Sequence, residues 1–436
     1  MSAYVSGKNM FERFLHSQVV GSIILIAATI TALIWANSGW GQAYYDLSHT
    51  YLGVRFGEWE FKLTLSHWIK DGLMAIFFFV VGLEIKREIV VGELSTFDKA
   101  MLPVCAAVGG AVVPALVYAF FNAGTPSSSG WGIPMATDIA FALGVLSMFG
   151  SRVPIGLKVF LTALAIADDL IAVAAIALFY TPNLDVVTLV LSVVPLVLML
   201  FLNRAGVRAT WIYALLAFSV WLGVLGAGVH ATIAGVLVAM VIPVRPSIDP
   251  GRFIEVTRGL LEGIRGKDNS LDALIHDSRR RHKLTQLTLA VEDAIPPAIA
   301  LEHRLHPVQS FVILPLFALF SAGVAFSAET LAGFPTAASL GVMAGLLVGK
   351  PVGVLLASWL VMKIARIELE DVSLGQLLGA GFLSGIGFTM SIFISELAYE
   401  SELLIDQAKV GVLIASVFAG AVGAVVLHLT LPKKTD

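Results

Sequence analysis

Charged residues are scarce in this chain of 436 residues, since Asp, Glu, Lys and Arg together make up only 14% of it. Ordinary soluble domains contain about 25% charged residues. Hydrophobic residues reach 57%, and the mean hydropathy is +0.87. This excess of apolar residues excludes a soluble globular domain and predicts a protein that lies in lipid. The mild net charge of −3 gives no case for nucleic acid as a partner.

Cysteine is almost absent: the single Cys105 excludes any intramolecular disulfide. With no Cys/His cluster to form a soft-metal site, the sequence predicts no cofactor. An apolar run from Val19 to Ala36 follows Lys8 and Arg13. It is longer than the hydrophobic region of a signal peptide, which is about 7–15 residues, so we expect a retained first span.

Apolar blocks between polar or Pro/Gly breaks predict an all-α polytopic membrane protein, because a spanning helix needs roughly 20 mostly apolar residues. About twelve transmembrane helices are expected, at 18–37, 65–84, 101–121, 127–148, 157–180, 186–203, 210–226, 228–243, 307–326, 340–362, 376–398 and 408–431. The polar stretch at about 245–297, with consecutive basic residues Arg279 to Arg281, predicts a long loop outside the membrane. The whole chain, 1–436, is expected to form one transmembrane domain.

Lysine and arginine placement predicts the orientation. If the spans alternate, nearly all basic residues fall on the side of both termini and the long loop. Only Arg55, Lys62, Lys70 and Lys409 fall on the other side, and Lys350 lies within a span. Basic residues are enriched in cytoplasmic segments, so we expect a multi-pass protein of the bacterial inner membrane with both termini in the cytoplasm.

Four ionisable residues stand near the middle of predicted spans: Asp138, Asp168, Asp169 and Lys350. Each charge at such a depth costs about 2.5–3.5 kcal/mol on the insertion scale, so structure alone does not account for the set. The alternative is that each aspartate caps a broken helix or is protonated, without a role in transport. Carboxylate oxygens suit hard cations, and a buried carboxylate beside an ammonium can exchange a proton for a cation.

Adjacent residues on a helix point about 100° apart, so Asp168 and Asp169 are expected to have different roles. Two predicted spans also carry helix breakers: Gly130, Gly132 and Pro134 in one, and glycines from Gly379 to Gly387 in the other. A close helix–helix contact is the simpler explanation of each. As a pair, interrupted spans in the two halves of a chain indicate the binding site of a transporter.

At these residues the sequence resembles the NhaA-type sodium/proton antiporters. The similar stretches are V-G-L-E-I-K-R-E at 81–88, A-T-D-I-A-F-A-L-G-V at 136–145, L-A-I-A-D-D-L at 164–170, G-V-H-A-T-I-A-G-V at 228–236, L-E-H-R-L-H-P at 301–307, G-K-P-V-G at 349–353 and G-I-G-F-T-M-S-I-F-I at 385–394. The resemblance covers nearly the whole chain except the loop near 245–297. It implies inverted repeats with two unwound, crossing helices.

The resemblance also implies an electrogenic, pH-regulated secondary transporter, not an enzyme, that exchanges Na⁺, and Li⁺ as well, for H⁺. Sodium and pH homeostasis would be its role. Asp169 would be the principal cation ligand, with Asp168 beside it and paired with Lys350. Asp138, with Thr137, would compensate the positive ends of the half-helices. Membrane lipids are expected partners, and a homodimer is compatible with the resemblance.

A second set of residues matches the pH-response residues of the family: Glu84, Arg87, Glu88, His230, Glu302, His303 and His306. Exposed histidines at helix ends and a charged run that anchors a helix end are the alternatives. Three features depart from the family pattern: Lys70 replaces the usual Asn before Asp71, Ile299-Ala300 replaces a basic pair, and the loop is longer.

Two other functions remain open from the residues alone. An intramembrane aspartyl hydrolase also places two aspartates at membrane depth, but on two facing helices that share a proton. A sodium-coupled symporter on a related fold would need a larger cavity for an organic substrate.

Overall fold

A computed structural model of the chain describes residues 18–57, 59–181, 185–207, 210–246, 248–264, 277–327, 330, 333–366 and 371–432. The basic residues near the two termini and residues 265–276 of the polar segment lie outside these ranges. The orientation expected for the termini therefore rests on sequence alone.

The described residues are mostly helical, as expected for a chain that must satisfy its backbone polar groups within lipid. In chain order, the labelled helices are α1 (Gln18–Ala36), α2 (Gly41–Ser48), α3 (Met74–Val90), α4 (Phe97–Asn122), α5 (Ile139–Ser147), α6 (Ile155–Phe179), α7 (Val186–Arg204), α8 (Thr210–Gly226), α9 (Thr232–Val241), α10 (Pro250–Ile264), α11 (Ser278–Ala294), α12 (Pro297–Val308), α13 (Leu314–Ser321), α14 (Ala337–Ala344), α15 (Lys350–Ala365), α16 (Leu374–Ser384), α17 (Phe388–Ala398) and α18 (Glu402–Thr430).

Short irregular helices join several of these elements. A single turn at Leu65–His67 and a π-helix at Trp68–Leu73 lead into α3, and π-helices at Gln309–Ile313 and Gly345–Gly349 join α12 to α13 and α14 to α15. Two 3₁₀ helices lie at Ser128–Met135 and Gly150–Arg152.

Eight helical segments in the described ranges are long and apolar enough to cross a membrane, and the bent pair α16 and α17 makes a ninth. These nine coincide with nine of the twelve predicted spans. The predicted spans at 210–226 and 228–243 correspond to the shorter helices α8 and α9, and the span at 65–84 lies in the helical run that ends with α3. The all-α polytopic class is confirmed, while the count of twelve stays a prediction.

A β-hairpin precedes α3, and the sequence analysis did not predict it. Strands β1 (Tyr51–Phe56) and β2 (Trp59–Thr64) pair antiparallel, with Tyr51 opposite Thr64, and Gly57 in the turn has a φ of +64°. Trp68 donates its indole N–H to the Leu52 carbonyl at 3.0 Å, which ties the hairpin to the start of the helical run. We call the side of the bundle that bears β1 and β2 the hairpin side.

The predicted long loop contains two helices, α10 and α11, which pack against each other. The Ala298 N–H donates to the Pro243 carbonyl at 3.1 Å, so the chain leaves and re-enters the bundle at one point. Nearby, the Lys86 ammonium donates to the carbonyls of Met240 and Ile242. The end of α3 therefore lies on the side that bears α10 and α11, which we call the loop side.

Helix α6 passes through the centre of the bundle, since residues 163–169 in its middle are all buried. Helices α4 and α15 approach each other closely because Gly109 and Gly353 face each other. A Cβ added to Gly109 would lie 2.4 Å from the Gly353 carbonyl oxygen. This close approach carries the first residue of α15, Lys350, into the centre beside α6.

Candidate functional site

The site is built around α6, where Asp168 and Asp169 are each 1% exposed. Small and branched apolar residues precede them, and residues 163–167 are all buried against neighbouring helices. The two carboxylates point in different directions, as the 100° rotation between adjacent helical residues requires. Asp168 faces Lys350, and Asp169 faces a cavity.

The first interrupted segment is a 3₁₀ helix that stops at Met135, after which Ala136, Thr137 and Asp138 make no helix. Helix α5 begins immediately afterwards. Asp138 is its N-cap, and Asp138 Oδ1 accepts a hydrogen bond from the Phe141 N–H at 3.0 Å. A capping aspartate satisfies a free N–H and interacts favourably with the positive end of the helix dipole.

The second interrupted segment is the bent pair α16 and α17, whose axes differ by 46°. Its break lies against the first one, because the Asp138 N–H donates to the Ile386 carbonyl at 2.7 Å. Asp138 Oδ2 then accepts hydrogen bonds from the Thr389 N–H at 3.2 Å and from the Thr389 hydroxyl at 2.5 Å. One carboxylate thus caps two helices, α5 and α17.

The carbonyl ends of the interrupted segments also have donors. The Lys350 ammonium donates to the Met135 carbonyl at the end of the 3₁₀ helix, and the Thr137 hydroxyl donates to the Ser384 carbonyl at 2.7 Å. Unpaired backbone groups cost several kcal/mol in lipid. The charges and hydroxyls at the breaks therefore make the interruptions tolerable.

Lys350 and Asp168 form an ion pair in which Nζ lies 2.5 Å from Oδ2 and neither side chain is exposed. A buried charge without its partner is strongly destabilising, so each member compensates the charge of the other. The pair also holds α15 against α6.

Asp169 has no such partner. Among the described residues, its Oδ1 atom is buried and finds no hydrogen-bond donor. Asp169 lines a cavity of about 60 Å³, which also touches Asp138, Thr389, Glu84 and His306. A buried carboxylate oxygen without a donor is costly, and the polar lining provides the environment in which a proton or a cation would satisfy it.

Most of the predicted pH-response residues lie together at the loop-side end of this cavity. Arg87 Nη2 lies 3.1 Å from Glu88 Oε1, and Arg87 Nε lies 3.0 Å from Glu302 Oε2, without hydrogen-bond alignment in the second case. Glu84 and His306 contribute to the lining of the cavity itself. Helices α3 and α12 thus carry one charge network that adjoins the cavity.

Two predicted residues lie apart from that network. His303 is on α12 but exposed to the surface. The His230 ring donates Nε2–H to the Tyr180 carbonyl oxygen, 2.7 Å away, at the end of α6 that faces the hairpin side. The structure therefore does not bring His230 together with the residues on α3 and α12.

Sequence reasoning missed several polar residues in and around the site. Thr389 donates to Asp138, the Ser384 carbonyl accepts from the Thr137 hydroxyl, and Glu396 is a further carboxylate with a side chain 4% exposed. Thr389 directly follows the glycine-rich stretch that was noted for its breaks, and a hydroxyl two residues after Gly387 was the available signal. Glu396 follows the same stretch, and its charge was the only signal that the sequence contained for it.

Taken together, the helices and the buried charges define a polytopic membrane protein built to handle a small ion. The family described as Na⁺/H⁺ antiporter 1 matches residues 12–427. Among curated proteins, the Na⁺/H⁺ antiporter NhaA of Oleidesulfovibrio alaskensis is 46% identical over 422 residues, which is 97% of this chain and 94% of that protein. The NhaA of Wolinella succinogenes is 45% identical, covering 96% of this chain and 94% of that protein.

A third relative, the Na⁺/H⁺ antiporter NhaA of Acidithiobacillus ferrooxidans, is 45% identical, with 98% of each chain covered. Matches of this length and identity show homology across the whole fold. The chain belongs to the Na⁺/H⁺ antiporter 1 family, a family of transporters and not of enzymes.

Proposed function

We propose that this protein exchanges Na⁺ for H⁺ across the membrane at Asp169 and Asp168. The observation that carries the proposal is Asp169 Oδ1, a buried carboxylate oxygen without a donor on the wall of a polar cavity. A proton satisfies this oxygen in one state and a sodium ion in the other. Because both occupy one group, binding of either weakens binding of the other.

The ligands for Na⁺ are oxygens, as suits a hard cation. Within the described residues, no three His, Cys, Asp or Glu side chains are arranged to hold a metal ion. The transported ion therefore takes its remaining ligands from hydroxyl or carbonyl groups and water, for which Thr389 at the cavity is a candidate. A site that binds Na⁺ weakly and leaves it partly hydrated suits an ion that must also be released.

The Lys350–Asp168 ion pair accounts for the unequal charge that the exchange moves in the two directions. When Na⁺ binds between Asp169 and Asp168, Lys350 loses part of the attraction that keeps its ammonium charged in a buried position. Lys350 then gives up a proton, as does Asp169. Two protons move for each sodium ion, so the exchange is electrogenic. Li⁺, a smaller hard cation, is accepted by the same oxygens.

Regulation by pH is proposed for the network of Glu84, Arg87, Glu88, Glu302 and His306, because it adjoins the cavity leading to Asp169. Lys86, His303 and Arg304 are the other ionisable groups on these faces of α3 and α12. Histidine is the side chain whose ordinary pKa lies between pH 5 and 8. Protonation in this network changes the field at the cavity entrance.

The remaining proposals concern location. The loop side carries Arg87, Arg152 and Arg204 near span ends, which supports a cytoplasmic loop side in the bacterial inner membrane. The exchange would serve sodium and pH homeostasis, with membrane lipids as the surrounding partners.

The test is a pH-sensitive fluorescent dye in everted membrane vesicles that hold a proton gradient. Addition of NaCl, without an organic solute, should collapse the gradient in vesicles with the native chain. Asp169→Asn keeps the shape and one oxygen but not the charge, so it should abolish the response in inserted, folded protein. Glu60→Gln, on the exposed hairpin, is the matched control and should respond normally. A normal response in Asp169→Asn would refute the assignment.

The alternatives are less well supported. An aspartyl hydrolase needs two carboxyls that share a proton, whereas Asp168 is ion-paired with Lys350. A symporter needs room for an organic substrate, and the cavity at Asp169 holds about 60 Å³.

A further inference from the structure

A second buried charge cluster lies on the hairpin side, at the end of α17. Glu396 has a side chain only 4% exposed, and it pairs with two lysines. Its Oε1 atom lies 2.7 Å from Lys409 Nζ and 3.1 Å from Lys70 Nζ. The Ser321 hydroxyl on α13 is 3.4 Å from the other carboxylate oxygen. A single buried carboxylate thus joins three separate elements.

Glu396 shares a helix face with the site. Thr389, Phe393 and Glu396 are spaced four and three residues apart, so they lie in one row along α17. Thr389 holds Asp138 at one end of this row. In the middle, the Phe393 ring packs 5.8 Å from that of Phe78 and 6.0 Å from that of Phe317, measured between centroids. Glu396 and the Thr389 donor to Asp138 are therefore two ends of one row on the same helix.

The two lysines occupy different parts of the bundle. Lys409 is on α18, which packs along α17, so this contact joins two helices that already touch each other. Lys70 is in the π-helix before α3, which packs against α13. The Lys70–Glu396 contact accordingly joins α17 to the π-helix that leads into α3, whereas the Lys409–Glu396 contact joins α17 to the helix that follows it in the chain. Lys70 is also the residue at which this sequence departs from the family pattern.

The cluster lies on the opposite side of the site from the cavity. The lining of the cavity at Asp169 includes Glu84, His306 and Gln309, toward the loop side. Lys70 is at the other end of the same helical run as Glu84, and the buried rings of Phe78 and Phe393 lie between. The structure is thus closed on the hairpin side where Lys70 meets Glu396.

We propose that the Lys70–Glu396 ion pair is a latch that holds the hairpin side closed and so sets how often Asp169 faces that side. The inference rests on the proposed exchange, which requires the site to open to each side in turn. Lys409 keeps Glu396 neutralised when the latch opens, so the carboxylate is never buried alone. Opening separates Lys70 from Glu396 and exposes the row of Thr389, Phe393 and Glu396 on α17 to the hairpin side.

The test compares Lys70→Met with Lys409→Met, because each leaves Glu396 one lysine and only the first removes the latch. Lys70→Arg, which keeps the charge, is the conservative control. A near-isosteric reporter, Ser321→Cys, is placed in a Cys105→Ser background, since Ser321 is buried beside Glu396. A membrane-impermeant maleimide is applied from the hairpin side in right-side-out vesicles, and from the other side in everted vesicles.

Lys70→Met should raise the labelling rate from the hairpin side by about two- to fivefold, the population change expected from loss of a partly exposed ion pair. Lys409→Met and Lys70→Arg should label like the parent. In transport, Lys70→Met should lower the apparent KM for Na⁺ supplied from the hairpin side and raise it from the loop side, because apparent affinity follows the population of the competent state. A structural defect would not shift the two sides in opposite directions.

Unchanged labelling in Lys70→Met, or equal acceleration in Lys409→Met, would overturn the latch. Labelling needs no transport, so it reports on the latch even if exchange is absent. If NaCl does not collapse the proton gradient in vesicles with the native chain, that result would instead count against the proposed function.

Discussion

Lys350 Nζ lies 2.5 Å from Asp168 Oδ2, and neither side chain is exposed. The two residues are 182 positions apart, and their contact joins α15 to α6 at the depth of the interrupted helices. It leaves Asp169, one residue further on, as the carboxylate that faces the cavity. The division of roles between the two aspartates follows from this contact.

Removal of one member of the pair should account for most of the stability that is lost when both members are removed. Lys350→Ala leaves Asp168 buried and uncompensated, a loss of about 3–5 kcal/mol for a broken buried pair. Asp168→Asn added to Lys350→Ala should then cost little more. Thermal unfolding of the purified single and double variants in detergent measures the coupling, and strictly additive losses would argue against the pair.

The Thr389 hydroxyl should matter because it is a hydrogen-bond donor to a charged acceptor, Asp138 Oδ2, at 2.5 Å. Thr389→Val keeps the shape and the backbone N–H but loses this bond, which is worth about 1.5–3 kcal/mol. We expect exchange in vesicles to fall about tenfold or more. Thr389→Ser retains the hydroxyl and should keep most of the activity. Equal losses in the two variants would assign the effect to packing.

Helix α10 and the beginning of α11 should be dispensable for exchange itself. The chain leaves and re-enters the bundle at neighbouring points, Pro243 and Ala298, so a short linker can close the gap. Deletion of residues 250–283 should leave the maximal rate of the dye response intact, although the pH midpoint can shift. Complete loss of exchange in correctly inserted protein would contradict this expectation.

Competition for one site predicts proton release on sodium binding. Addition of Na⁺ to purified protein in weak buffer should release protons, because the two ions bind the same carboxylates. Release should be largest near the apparent pKa of the coupled group of Asp168, Asp169 and Lys350, and should vanish well above it.

Two variants sharpen that measurement. Asp169→Asn should remove the proton signal, whereas His306→Gln should at most move its pH range. Sodium binding without proton release anywhere between about pH 5 and 9, the range that shifted buried groups can reach, would favour a symporter.

Much of the fold was predictable from local composition. Long apolar runs predicted the spans because lipid excludes unpaired backbone and charge. The β-hairpin was missed, since its strands lie between spans and carry a mixed pattern from Tyr51 to Thr64. The helical content of α10 and α11 was missed for a similar reason. A polar, charged segment outside the membrane needs no long apolar run, so its composition predicted a loop.

The sequence by itself determined which charged residues are costly to bury. Asp138, Asp168, Asp169 and Lys350 lie in apolar spans, however those spans pack against one another. Only the tertiary structure decided their partners. Thr389 reaches Asp138 across 251 positions, and Lys70 reaches Glu396 across a still longer separation. A charge is costly in lipid whatever its neighbours, so its presence is a local signal. Its partner is set by distances of a few ångströms between helices far apart in the chain, and those distances exist only once the helices have packed.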